Sequence, residues 1–336
     1  MRKTAFGAGF ALLACLIPAA AVSQTDSTSP AAKASARGQE LLARRTADDL
    51  QAAVREFAQA IAADSTFAPA FAGLAETRAL LFDYAGAREA ALRALSLDER
   101  LAEAHATLGF VRLHADWDWT GAEGDFRRAL ELDPQAATPR LWYAIVLEAT
   151  GRSEEAVAEA RRAVEIEPRK AYVRAGLGYR LYWARRYDEA VEELTAALDL
   201  DPTLETAHYF IGRARVQQNR FAEARAAFAR ARKLSPEDPN LKSAEAYLEA
   251  RAGRRKDSDR RYYEVERLAI RGMPFCAQVA GVRAAVGDKD AALRWLEKAH
   301  EGHEGSLVWL KVDPRFDSLH GEPRFTAILQ RMALSP

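Results

Sequence analysis

No stretch of the chain alternates polar and apolar residues as a half-buried strand would, and apolar and small positions return instead with a helical period. One series sets the scale. The small residues near the start of every second predicted helix, Ala53, Ala87, Ala122, Ala156, Ala190, Ala224, Ser258 and Ala292, are spaced 34, 35, 34, 34, 34, 34 and 34 residues apart. Seven residues on, at the same helical face, stand Ala60, Ala94, Ala129, Ala163, Ala197, Ala231, Val265 and Ala299. The pattern predicts pairs of helices in which a small residue of the first (Gly178, Gly212) faces a small residue of the second (Ala190, Ala224), so the backbones pack closely as an antiparallel hairpin. The later alanine (Ala197, Ala231) leaves room for the next pair to stack. Proline after each pair (Pro134, Pro168, Pro202, Pro236) opens the following helix where its missing N–H costs nothing. A single pair cannot bury its apolar face, so stability has to come from its neighbours.

A 34-residue unit of paired helices resembles the tetratricopeptide repeat. "HYFIGRARVQQNRFAEARAAFARARKLSP", from His208 to Pro236, carries that family's order of aromatic, glycine, alanine, aromatic, alanine and proline. Gly178 with Ala190, Ala197 and Pro202 repeats it one unit earlier, and Ala144 with Ala156, Ala163 and Pro168 one before that. The resemblance implies an all-α fold, a right-handed superhelical solenoid of helix hairpins over residues 37–304. About eight units are expected, six of them regular. The first has an irregular leading helix around "RRTADD", and the seventh keeps the spacing but loses the small residues at two positions. Residues 305–336 hold two short helical starts, "DPRFDSL" and "EPRFTAIL", expected to cap the open end with their own apolar face. The stretches "AFAGLAE", "DWDWTGAEGDFRRALELDP" and "VWLKVDPRFDSL" are similar to the repeat module that follows winged-helix, cyclase or kinase domains in bacterial signalling proteins.

The front of the chain departs from those relatives. Arg2 and Lys3 precede an apolar run at residues 5–17, Pro18 breaks it, and "AAAVSQ" offers Ala21 and Ser23 to a signal peptidase. Residues 1–23 therefore read as a signal peptide cleaved after Ser23, which predicts a periplasmic or secreted protein. The run is too short to span a bilayer, which needs about 20 residues, so an uncleaved anchor is the weaker reading and no integral span is expected after cleavage. Cys15 in "LLAC" resembles a lipoprotein box, but apolar residues continue past it and disfavour lipid anchoring there. Residues 24–36 are small and polar and read as a flexible linker. Cys276 is then the one remaining thiol, so no internal disulfide can hold the fold.

Charge and motifs narrow the function further. Lys+Arg and Asp+Glu both number 48 and give no electrostatic footprint for nucleic acid. His300 and His303 miss the zincin spacing and have no third ligand, and the chain has neither a Gly-x-Ser-x-Gly elbow nor a glycine-rich phosphate loop. Catalytic residues, metal ligands and cofactors are thus all read as none. The cluster Arg251, Arg254, Arg255, Lys256, Arg260 and Arg261 is interleaved with Asp257 and Asp259 and reads as a solvated helix face. Trp117 and Trp119 lie where one repeat carries an extra residue, which makes them architecture at a helix-to-helix turn, with Asp118 or Thr120 capping the second helix.

The resemblance implies that the second, fifth, ninth and twelfth residues of each leading helix point into a concave groove. In the fifth unit these are Tyr172, Ala175, Tyr179 and Tyr182, with Trp183 beside them, and in the sixth Thr206, Tyr209, Arg213 and Val216. Tyrosines with an arginine have the composition of a binding hot spot, so Tyr172, Tyr179, Tyr182, Trp183, Tyr209 and Arg213 are the candidate site for a protein or peptide partner. Asn219 and Asn240 are off the inner face, which disfavours a clamp for a terminal carboxylate. The sequence thus predicts an exported protein-interaction scaffold. The alternative is a cell-envelope assembly or maintenance factor that contacts membrane or cell-wall components.

Overall fold

The computed structural model describes residues 28–334, which contain helices and no strands. The proposed signal peptide lies outside the described residues. Eight antiparallel hairpins follow one another: α1 (Pro30–Leu42) with α2 (Ala47–Ala63), α3 (Ala68–Leu80) with α4 (Tyr84–Leu97), α5 (Ala102–Val111) with α6 (Trp119–Leu132), and α7 (Ala137–Ala149) with α8 (Ser153–Ile166). Then come α9 (Ala171–Trp183) with α10 (Tyr187–Leu200), α11 (Glu205–Gln217) with α12 (Phe221–Leu234), α13 (Pro239–Arg251) with α14 (Arg255–Ile270), and α15 (Cys276–Ala285) with α16 (Lys289–Glu301). Each second helix also packs on the leading helix of the next unit, so the array is an α-solenoid.

The small-residue register is the seam of this stack. All sixteen positions of the two series are 0% exposed, Ser258 and Val265 of the degenerate seventh unit included. Ser258 keeps its hydroxyl satisfied by donating to the Ala246 carbonyl at 2.9 Å. The facing of small on small needs one correction. A Cβ on Gly212 would stand 2.4 Å from the Phe228 ring, and one on Gly178 would stand 2.6 Å from Leu194. The glycine of the leading helix thus makes the hole for a large knob one turn beyond the alanine, and for Gly178 the Ala190 carbonyl comes next, at 3.3 Å.

The hairpin turns share one device. From the second unit on, each holds a left-handed residue, at Phe82, Trp117, Gly151, Arg185, Asn219, Gly253 and Gly287. Behind it the chain closes with a six-to-one bond such as Arg186 N–H to the Leu181 carbonyl at 2.9 Å. The third unit absorbs its extra residue as a π-helical turn, Arg112–Asp116, which continues α5 and brings Asp118 N–H to the Arg112 carbonyl at 3.1 Å. Asp118 then caps α6, its side chain accepting from Gly121 N–H at 2.9 Å.

Both ends depart from expectation. Residues 30–36 are not linker, because Ser29 caps a regular helix at Pro30 by accepting from Ala32 N–H, and Ala31 and Ala34 bury their side chains. Accordingly "RRTADD" is not an irregular helix; its first three residues are the turn from α1 to α2, Thr46 caps α2 through Asp49 N–H, and the last three are the first turn of α2. At the other end α17 (Pro323–Arg331) packs on α16 as a cap should. Residues 305–319, however, form two 3-10 turns, Gly305–Trp309 and Pro314–Leu319, and reach back to the middle of the array. They bury Leu307, Val308 and Leu310 in a core shared with the third, fourth and eighth units.

Candidate functional site

The concave candidates divide into two sets. Tyr172, Tyr179 and Tyr209 are half-buried. Tyr179 donates its hydroxyl to Thr206 Oγ1 at 2.7 Å, and its ring lies 4.4 Å from that of Phe210. Tyr172 donates to Glu167 at 3.1 Å. Arg45, held at φ 56° in the first hairpin turn, reaches across the array to lie over the Tyr172 ring at 4.6 Å, and it also bonds Glu76 at 3.2 Å and Thr138 at 3.4 Å.

Tyr182 and Trp183 are not open groove. They are 0% and 4% exposed, because the chain's own C-terminal segment lies on them. The Trp309 ring stacks on Trp183 with centroids 5.6 Å apart and planes 7° from parallel. Its indole N–H donates to Glu148 at 3.2 Å. Arg213 sits over the Tyr182 and Trp183 rings at 4.7 and 4.8 Å and pairs with Asp313 at 3.5 Å. Asp317 takes both guanidinium nitrogens of Arg185 at 2.6 Å, and Lys311 donates to the Thr150 carbonyl at 3.4 Å.

These contacts set the local electrostatics. Burial pushes the Glu148 carboxyl up, against the pull of Arg180 at 2.7 Å. That contact is one of charges rather than an aligned hydrogen bond, since the Arg180 Nε and Glu148 Oε1 atoms have no hydrogen-bond partner. Arg180 donates instead to the Leu141 carbonyl at 3.2 Å. Burial also raises Asp313, but Arg315 and Arg213 outweigh it and hold the carboxyl below its ordinary range. Buried His114, between Phe110 and Trp309, is lowered to about 4 by burial and then by Arg180. Burial raises the Cys276 thiol to about 12, so it stays protonated at neutral pH.

Trp117 and Trp119 are part of the same closure. Trp119 donates its indole N–H to the Met332 carbonyl at 2.6 Å, 213 residues along the chain, and Trp117 stacks on His303 at 3.7 Å. His300 and His303 thus lie against an indole, and among the described residues no group of three or more His, Cys, Asp or Glu could hold a metal. The basic cluster of the seventh unit is largely satisfied at home, with Arg261 on Glu245 at 2.9 Å and Arg260 on Asp257 at 3.3 Å. Among the described residues no helix is long and apolar enough to cross a membrane.

Sequence reasoning singled out the tyrosines, of which Tyr182 is covered, and missed Glu148, Arg180, Trp309, Asp313 and Asp317. One signal was available: Glu148 is the lone charge in the apolar run "LWYAIVLEA". A carboxylate there needs a partner, and finding it requires knowing which distant segment comes back.

Stacked hairpins in a 34-residue register, with a concave face lined by their leading helices, define an α-solenoid of interaction-scaffold type. Residues 113–178 and 182–248 match the model of the tetratricopeptide repeat family, so this part of the chain is built of tetratricopeptide repeats. Proteins of this family are generally non-enzymatic scaffolds for protein interaction. No curated protein sequence matches the chain. Among solved structures it is similar to PilF of Pseudomonas aeruginosa, at 19% identity over 61% of this chain and 92% of that one, with a TM-score of 0.48. YrrB, described as a tetratricopeptide protein with an unusual peptide-binding site, shares 22% identity over 54% of this chain and 93% of its own, with a TM-score of 0.38. The Cut9–Hcn1 hetero-tetramer of the APC/C gives 17% identity, 65% and 46% coverage and a TM-score of 0.51, a likeness of fold.

Proposed function

We propose that the protein is an exported scaffold that binds a segment of a protein partner along the uncovered half of its concave face. Tyr172, Tyr179 and Tyr209 carry this reading. They are half-buried tyrosines on the leading helices of two successive units, beside the face covered by residues 305–319. Each offers a broad apolar ring with a polar tip, the chemistry that dominates binding hot spots. The rings are already ordered by Thr206, Phe210 and Glu167, so little side-chain entropy is lost when a partner docks. Arg45 over Tyr172 marks the far end of the stripe and must swing aside if a partner covers that ring.

Export rests on the basic, apolar and small-residue sequence of residues 1–23 and predicts a mature protein beginning at Gln24 outside the cytoplasm. The test of the groove is capture from an envelope extract by wild type and by a Tyr179→Ala, Tyr209→Ala double variant of unchanged helicity. A protein partner retained by the wild type and lost by the variant supports the reading; equal retention discards it. Recovery of lipid or peptidoglycan alone would favour the envelope-maintenance role instead.

A further inference from the structure

Residues 305–319 attach to the middle of the array in an unusual way. Every backbone hydrogen bond within the segment is local, such as Leu307 N–H to the Glu304 carbonyl and Asp313 N–H to the Trp309 carbonyl. Its hold on the fourth to sixth units is made by side chains: Trp309 on Trp183 and Glu148, Asp313 on Arg213, Asp317 on Arg185 and Lys311 on the Thr150 carbonyl. Apart from the backbone bond of Gly305 to His114 in the third unit, the segment is held by side chains, and another segment that carries the same side chains can replace it. The receiving surface is also more than apolar filling. Glu148 is fully buried yet still accepts the indole N–H, and a purely structural plug would be better served there by an apolar residue.

We infer that residues 305–319 are an internal stand-in for a partner segment, and that the groove of the fourth to sixth units recognises a tryptophan followed at four-residue spacing by two aspartates. The inference rests on the reading that the concave face binds a partner segment, and it extends that face to Trp183, Arg213 and Arg185. Charge complementarity favours this occupant: Asp317 meets the Arg185 guanidinium, the indole N–H meets Glu148, and Asp313, held at 2.6 Å by Arg315 of its own segment, faces Arg213 at 3.5 Å. The cost of opening decides the mechanism. Releasing the segment into water exposes Leu307, Val308 and Leu310, so the free open state is fewer than about one molecule in a thousand. The groove therefore opens by exchange, with an incoming segment replacing these contacts as the internal one leaves.

The probe is a labelled synthetic peptide with the sequence of residues 305–320, titrated against the full chain. In the wild type the internal copy competes. The variant Trp309→Ala, Asp313→Asn, Asp317→Asn keeps α17 but weakens the stand-in, and should bind the peptide at least about tenfold more tightly than wild type. Adding Trp183→Ala to that variant should abolish the gain. Equal affinities for variant and wild type, or a gain that survives Trp183→Ala, overturns the inference. If the triple variant loses its helical spectrum, Asp317→Asn alone makes the same comparison with a smaller gain, because it removes an exposed ion pair. Failure here, with capture dependent on Tyr179 and Tyr209 intact, removes the stand-in and leaves the tyrosine stripe standing; loss of both removes the two together.

Discussion

The stacking seam and the concave face of this solenoid obey different rules. Along the seam sixteen small positions are sealed from solvent, each by the helix beside it or the next unit in line, and a 34-residue repeat is enough to specify them. Where the C-terminal segment closes over the concave face and the hairpin turns beside it, the contacts that matter join residues 132, 161 and 213 positions apart: Arg185 with Asp317, Glu148 with Trp309, and Trp119 with Met332. A nearest-neighbour array has no use for such contacts. They tie the third, fourth and fifth units to the C-terminal segment that follows the eighth and turn an open stack into a closed one, so damage to these contacts should spread further than damage of the same size on the seam.

The largest effect is expected where the array closes. Replacing Trp117 and Trp119 together by alanine removes two buried indoles and should cost about 6 kcal/mol, seen as a large loss in denaturant midpoint. Glu148→Ala leaves the buried Arg180 guanidinium without its polar neighbour at 2.7 Å and the Trp309 N–H without an acceptor, and should cost about 3 kcal/mol. His114 makes the closure sensitive to acid. It stays neutral in the fold down to about pH 4, whereas in the unfolded chain it takes a proton near 6.5. Its contribution is therefore full above pH 6.5 and is lost as pH falls toward 4, by about 3 kcal/mol, and His114→Phe should flatten that part of the stability profile. On the seam, Gly212→Ala drives a methyl against Phe228 and should cost about 2 kcal/mol without loosening residues 305–319, which amide exchange can check. Asp317→Asn should cost less than about 1 kcal/mol, since that ion pair is nearly half exposed.

The sequence was most legible where physics is local. The 34-residue spacing located all eight hairpins, and the single 35-residue interval located the π turn at Arg112–Asp116. It failed where a choice depended on distant chain. "SPAAKASARG" reads as linker until Ser29 is seen to cap a helix whose alanines pack on α2 and α3. Tyr182 and Trp183 fall at groove positions by register and point inward, yet nothing near them in sequence says that Trp309 will cover them. The turn at Trp117 was read correctly as architecture, and its partners at His303 and Met332 came only with the fold.

Closure of the concave face by residues 305–319 can be tested most directly by hydrogen exchange on the full chain. If the segment lies on the fourth to sixth units, its amides should exchange as slowly as those of α9 and α11, because each can open only when the buried Leu307, Val308 and Leu310 are exposed. Exchange of residues 305–319 within seconds, with α9 and α11 still protected, would contradict the closure and leave Trp183 facing an open groove.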